Sequence, residues 1–286
     1  MSDPQAARSG RLPIGEGLEV FWEYLGDGAH EPVCLLNGLA MHTKAWYPFV
    51  DRLAPGYDIL LFDYPGQGES TSADAPVTLP GLAAILHRLV DHLAIARLHI
   101  VGVSYGGFVA IEFARLYQER LRTMTLSGIL LSREELFEMY EAISLRFYRG
   151  GGEAFELYTH YLYEKIFGEA FVASIGRDSL EPMRQRFYER YRHRVHSLVR
   201  LTEAQDPFFA ALDANMPAYR AIRTPTLLMP GTDDRVIAPA VQRKICGILP
   251  HTRWQPIERS GHVAYLEQPD VFWPALRRFL ADAAVV

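Results

Sequence analysis

Leu98-His99-Ile100-Val101-Gly102-Val103-Ser104-Tyr105-Gly106-Gly107-Phe108-Val109-Ala110-Ile111 is the stretch that decides the fold. An apolar run of strand length leads into Gly102, and helical periodicity begins at Gly107. The spacing predicts a strand, a sharp turn and a helix, with Ser104 at the apex. A Gly-x-Ser-x-Gly turn of this kind lifts a hydroxyl out of the packed layers to where a substrate can reach it. The glycines suit a bend so tight that a Cβ at either flank would strike the neighbouring strand or helix.

Working outward, Leu18 to Leu25, Val33 to Leu36, Tyr57 to Phe62 and Thr123 to Ser127 read as strands. Lys44 to Leu53 reads as a short helix. Leu79 to Leu93 is a longer one, with Leu82, Ile85, Leu86, Leu89, Val90 and Leu93 at helical spacing. This alternation predicts an α/β fold: a mostly parallel sheet covered by helices on both faces, with its chemistry at the carboxyl ends of the strands. From about Leu130 to Tyr219 the alternation stops. That stretch reads as helix after helix, rich in Tyr, Phe, Arg and Glu and punctuated by Gly150-Gly151-Gly152 and Pro207. Alternation resumes with a strand at Thr226 to Met229, a helix over Ala240 to Ile248, a strand over Arg253 to Ile257 and a helix over Val271 to Leu280. We therefore expect one core built from residues 1–129 and 220–286, with a helical insertion, 130–219, between two halves of the sheet.

A serine hydroxyl is a poor nucleophile unless a base lies within hydrogen-bond reach and a carboxylate orients that base. Gly231-Thr232-Asp233-Asp234 follows one strand, and Ser260-Gly261-His262 follows the next. The chain order Ser104, Asp234, His262 places all three at one sheet edge. Each residue alone has a plainer reading: a turn serine, a turn acid, a surface or core histidine. Their joint occurrence, each after a strand, favours a catalytic triad. A tetrahedral oxyanion needs donors too, and the backbone amides of Tyr105 and Leu39 are the candidates. Leu39 belongs to the Asn37-Gly38-Leu39-Ala40 loop, which read by itself is an ordinary Asn-Gly turn.

Bulk properties narrow the partners. The 286 residues carry a formal net charge of -5, which argues against nucleic acid. No run is apolar enough to span a bilayer, and the first ten residues lack the apolar core of a secretory signal. Cys34 and Cys246 form no disulfide or metal pattern, and a cytoplasmic, reducing compartment is the expectation. No dinucleotide, Walker or zinc-protease motif occurs, so neither cofactor nor metal is expected. Arg184, Arg186, Arg190, Arg192 and Arg194 read as a solvated helical face. A dock for the phosphates of an acyl carrier such as coenzyme A is the minority alternative.

These motifs together resemble the α/β-hydrolase superfamily over nearly the whole chain outside the insertion. Asn37-Gly38-Leu39-Ala40 is similar to its oxyanion loop, and Asp63-Tyr64-Pro65-Gly66-Gln67-Gly68-Glu69-Ser70 to its Asp-x-x-Gly-x-Gly-x-Ser segment. Gly231 to Asp234 is similar to its acid loop, with Asp234 matching better than Asp233, and Ser260 to His262 to its histidine loop. The resemblance implies that the insertion is a cap roofing a pocket. Asn37 stands where the common family form has His. The Asn-Gly pair is similar to the loop of intracellular polyhydroxyalkanoate depolymerases and of hydroxyacyl-transferring relatives. Ser104 sets the chain apart from relatives that carry Asp at the elbow.

The expectation is a serine hydrolase that cleaves a carboxylic ester or thioester on a small acyl substrate. An acyltransferase on the same triad is the first alternative, and a non-catalytic ligand-binding relative is the second. Asn37, Trp46 and Tyr148 are candidate substrate contacts. A monomer and a homodimer both remain open.

Overall fold

The central sheet has the order β1-β2-β4-β3-β5-β6-β7-β8 in the computed structural model, which describes residues 8–54, 56–72 and 76–283. Its strands are β1 (Arg8–Gly15), β2 (Leu18–Leu25), β3 (Glu31–Leu36), β4 (Tyr57–Phe62), β5 (Leu98–Val103), β6 (Leu121–Ser127), β7 (Thr226–Leu228) and β8 (Thr252–Trp254). The β1–β2 and β2–β4 pairings are antiparallel. Every other pairing, from β4–β3 through β7–β8, is parallel. The sheet and its helices give the α/β-hydrolase architecture expected from the sequence.

Side-chain alternation explains the two layers. Cys34 and Leu36, Leu60 and Phe62, and Ile100 point to one core cluster. Val33 and Leu35, Ile59 and Leu61, and Val101 and Val103 point to the other. Strands buried on both faces read as continuous apolar runs, which is why β3, β4 and β5 stood out in the sequence. Helices α1 (Tyr47–Val50), α2 (Leu79–His92) and α3 (Tyr105–Tyr117) belong to the first half of the chain. After the insertion come α11 (Pro239–Arg243), α12 (Ala264–Glu267) and α13 (Pro269–Ala283). Leu82, Leu86, Leu89 and Val90 of α2 join the first cluster together with most of α3. Phe272, Trp273, Leu276 and Leu280 of α13 join the second.

Between β6 and β7 the chain forms α4 (Glu135–Gly150), α5 (Gly152–Ile166), α6 (Glu169–Ile175), α7 (Leu180–Tyr191), α8 (Val195–Glu203), α9 (Gln205–Ala210) and α10 (Leu212–Arg220). Gly151, at φ 55, ends α4 and begins the turn into α5. Tyr148, Phe155, Tyr158, Phe187, Tyr191 and Leu198 form an aromatic cluster of the insertion's own. The last helices belong elsewhere: Leu201, Phe208, Phe209, Leu212 and Tyr219 pack in the sheet's first cluster. Tyr219 also donates a 2.6 Å hydrogen bond to Glu112 of α3. Helices α9 and α10 therefore pack as part of the layer that covers the sheet.

Three local expectations need correction. Arg8–Gly15 is a strand the sequence reading did not find. It is a mostly exposed edge strand in which only Leu12 is buried, so no apolar alternation marks it. The Lys44–Leu53 and Ala240–Ile248 segments are each a 3₁₀ turn joined to one short helix, and Cys246 lies in the 3₁₀ turn Lys244–Gly247. The Arg184–Arg194 stretch is not one solvated face. Arg184 is buried and pairs with Glu164 and Glu181, whereas Arg192 pairs with Glu189 in solvent. The first seven residues, included in the signal-peptide reading, lie outside the described residues, and no described helix is long and apolar enough to cross a membrane.

Candidate active site

Ser104 sits between β5 and α3 with φ 51 and ψ -124, a backbone state that costs a residue with a side chain about 1–3 kcal/mol. Close packing holds it there. A Cβ on Gly102 would lie 2.6 Å from the Gly106 carbonyl oxygen, and one on Gly106 would lie 2.4 Å from the Leu36 carbonyl oxygen. Both glycines are needed because neighbouring backbone leaves no room. The Ser104 amide donates to the Ser127 carbonyl at 2.8 Å, which ties the turn to β6.

Ser104, His262 and Asp234 come together although they are far apart in the chain. His262 Nε2 lies 2.8 Å from Ser104 Oγ, and Nδ1 lies 3.0 Å from Asp234 Oδ2. Asp234 and His262 are both buried. The carboxylate is held by three further donors. Val236 and Ile237 amides reach Oδ1 at 2.8 and 3.0 Å, and the Gln242 side-chain amide reaches Oδ2 at 2.9 Å. Gln242 also accepts from the Gly128 amide at 3.0 Å. Gly128, at φ +67, lies under the imidazole: a Cβ there would stand 2.7 Å from His262 Cε1. Asp233 takes no part; its amide donates to the Ser260 carbonyl at 2.8 Å. A hydroxyl, an imidazole and a saturated carboxylate in this order can pass a proton from oxygen to nitrogen and back.

The backbone around the histidine is fastened to the insertion. The His262 amide donates to the Ile166 carbonyl at 2.7 Å, at the end of α5. Glu267 Oε2 accepts from the Gly261 and Gly168 amides at 2.8 and 2.9 Å, clamping the two segments together. Arg235, beside the acid, donates to the Glu164 and Phe167 carbonyls at 2.5 and 2.6 Å.

Ser104 and His262 open onto a cavity of about 270 Å³. Leu39 and Tyr105 line it. Tyr105 is the first residue of α3, where a backbone amide has no partner within the helix. Tyr148 lines the cavity from the insertion and donates to Tyr158 Oη at 2.7 Å. The other two contact candidates do not reach it. Asn37 and Trp46 are fully buried, and the Trp46 indole donates to Asn37 Oδ1 at 2.7 Å. The Asn37 amide donates to the Phe62 carbonyl at 3.0 Å. Asn37 thus ties β3, β4 and the following turn together instead of facing a ligand. Asp63 of the glycine-rich segment is similarly structural: it accepts from the Thr43 and Glu69 amides at 2.7 and 2.9 Å, and burial lifts its carboxyl to about 6.

Sequence reasoning missed Gln242 and Glu267. Neither belongs to a motif, and their contacts exist only in the folded chain.

Fold and site together define a class, the α/β hydrolases. The chain belongs to it: the model of the alpha/beta hydrolase fold family matches residues 31–269. A poly(3-hydroxyalkanoate) depolymerase of Ectopseudomonas oleovorans is 25% identical, over 87% of this chain and 84% of its own. A 2-hydroxy-6-oxononadienedioate/2-hydroxy-6-oxononatrienedioate hydrolase of Paraburkholderia phymatum is 29% identical over 97% of both chains. Among solved structures, an alpha/beta hydrolase enzyme from a Medee basin deep-sea metagenome library superposes with a TM-score of 0.85 at 23% identity. That likeness covers 95% of this chain and 97% of the other.

Proposed function

We propose that this protein is a serine hydrolase that cleaves a carboxylic ester or thioester of a small acyl substrate through an acyl-enzyme. The observation that carries the reading is the hydrogen-bonded chain from Ser104 through His262 to Asp234 at the edge of a cavity. His262 takes the Ser104 proton as Oγ attacks the carbonyl, and Asp234 holds the imidazole tautomer and stabilises the imidazolium. The Leu39 and Tyr105 amides bind the oxyanion; losing one such donor costs about 10²–10³ in kcat. His262 then protonates the leaving group and activates the water that releases the acid. The insertion acts as the cap, closing the cavity over the acyl group.

The test is turnover and labelling together. Wild type should hydrolyse p-nitrophenyl esters and be labelled at Ser104 by a fluorophosphonate. Ser104→Ala should lose both and keep its thermal midpoint. An alanine variant as fast as wild type sinks the reading.

A further inference from the structure

The cavity has a core wall that carries Ser104 and His262 and an insertion wall of different character. Lys165, near the end of α5, is the one lysine or arginine among the described residues that line it. Its Nζ lies 3.4 Å from the Tyr140 ring centroid and 5.2 Å from that of Tyr161, so aromatic faces hold one side of the ammonium. The field of Asp234 favours its charge, without a hydrogen bond between them. Burial brings its pKa down to about 8, which leaves it mostly cationic at neutral pH.

Glu141, on the same wall, does not neutralise it. Burial, reinforced by Asp206 and Glu138, pushes its carboxyl up to about 8, so it carries a proton at neutral pH. Its Oε1 has no hydrogen-bond partner, and neither have Tyr161 Oη and Thr202 Oγ1, all three buried oxygens of cavity-lining residues. An unpartnered buried polar atom costs about 1–3 kcal/mol, so three on one wall are expensive unless a ligand meets them. A cation and three unpartnered oxygen groups in the lining of one cavity fit an anionic, oxygen-bearing group and not a plain alkyl chain.

We propose that this wall recognises a carboxylate carried by the acyl substrate away from the reacting carbonyl, with Lys165 as the residue that selects it. The inference rests on the serine-hydrolase reading and names its substrate class.

Three esters of one chain length and one leaving group test it: the p-nitrophenyl monoester of adipic acid, p-nitrophenyl 6-hydroxyhexanoate and p-nitrophenyl hexanoate. Wild type should favour the adipate ester in kcat/KM by about 10- to 100-fold, the range of a charge-assisted hydrogen bond in a desolvated site. Lys165→Met should erase the preference, lowering kcat/KM on the adipate ester about 10- to 100-fold more than on hexanoate, and Lys165→Arg should keep part of it. Calorimetric binding of adipate, wild type against Lys165→Met, reads the same wall without turnover. The proposal is overturned by a wild type indifferent to the carboxylate, by a preference that survives Lys165→Met, or by adipate binding equally to both proteins. Equal rates on the hydroxylated and adipate esters also overturn it, because the charge would then be idle. If hexanoate is hydrolysed and Ser104 is labelled, such results remove the Lys165 assignment alone; if neither occurs, the hydrolase reading falls and the adipate binding still judges Lys165.

Discussion

Helices α3 and α4 show how differently the two parts of this molecule are built. Of the thirteen residues of α3, ten are buried; of the sixteen of α4, only Tyr148 is. α3 is held by the sheet beneath it, and glycines let it approach within backbone contact. α4 leaves Leu136 and Met139 in solvent and turns aromatic rings toward the cavity. The core, aliphatic side chains with aromatic rings set among them, is closely fitted to the sheet, which suits a site whose atoms must stay within tenths of an ångström. The insertion gathers its own cluster of large rings, and Glu141, Tyr161 and Thr202 bring unpartnered oxygens to the cavity lining, which suits a surface that meets ligands. Under the proposed function, chemistry belongs to the core and selection to the insertion.

The sharpest way to break that division is Asp234→Asn. The amide keeps the shape but removes the charge facing His262, and kcat on a p-nitrophenyl ester should fall about 10⁴-fold with the far-ultraviolet circular dichroism unchanged. A loss under tenfold would mean that the core site is not where catalysis happens. Phe155→Ala probes the other part. Phe155 is fully buried and packs on Tyr148, Tyr158, Phe187 and Tyr188, so its loss should cost about 3–5 kcal/mol. Hydrogen exchange should show α5 and α7 losing protection while β4 and β5 keep theirs; equal loss everywhere would erase the distinction. Gln242→Leu removes one donor from Asp234 and should lower kcat about tenfold at unchanged KM, with a shifted acid limb in the pH–rate profile. An altered KM alone would make Gln242 a packing residue. Glu141→Gln is the mildest. Because the folded carboxyl titrates near 8 against an ordinary 4.5, the native state keeps a proton the unfolded chain has lost. Stability therefore declines as pH rises through that interval. The glutamine variant lacks this decline, so its urea midpoint should gain on wild type steadily from pH 5 to pH 8.

What the sequence could disclose follows the same line. β4 and the elbow were legible because strands buried on both faces leave uninterrupted apolar runs, and because few residues tolerate the Ser104 turn. The three groups of Ser104, Asp234 and His262 were legible because each follows a strand. Between Leu130 and Tyr219 the reading gave helices without boundaries, except at Gly150 to Gly152, where Gly151 and Gly152 take the positive φ that glycine allows. The misreading of Asn37 has a plain cause. Its partners, Trp46 and the Phe62 carbonyl, come from separate segments, so a buried tether looked like a residue that faces a substrate. Lys165 and Glu141 were passed over because a charged residue on an amphipathic helix ordinarily faces water.

The seam at residues 164–168 sets terms for anyone who would re-engineer this enzyme's selectivity. Ile166 offers its carbonyl to the very peptide that bears the imidazole, and Gly168 shares a carboxylate with the glycine just before it. A foreign roof grafted through this seam would shift His262 by way of main chain alone, with Ser104, His262 and Asp234 all still present. Splice points belong on either side of those five residues, so that a new ceiling inherits the old footing.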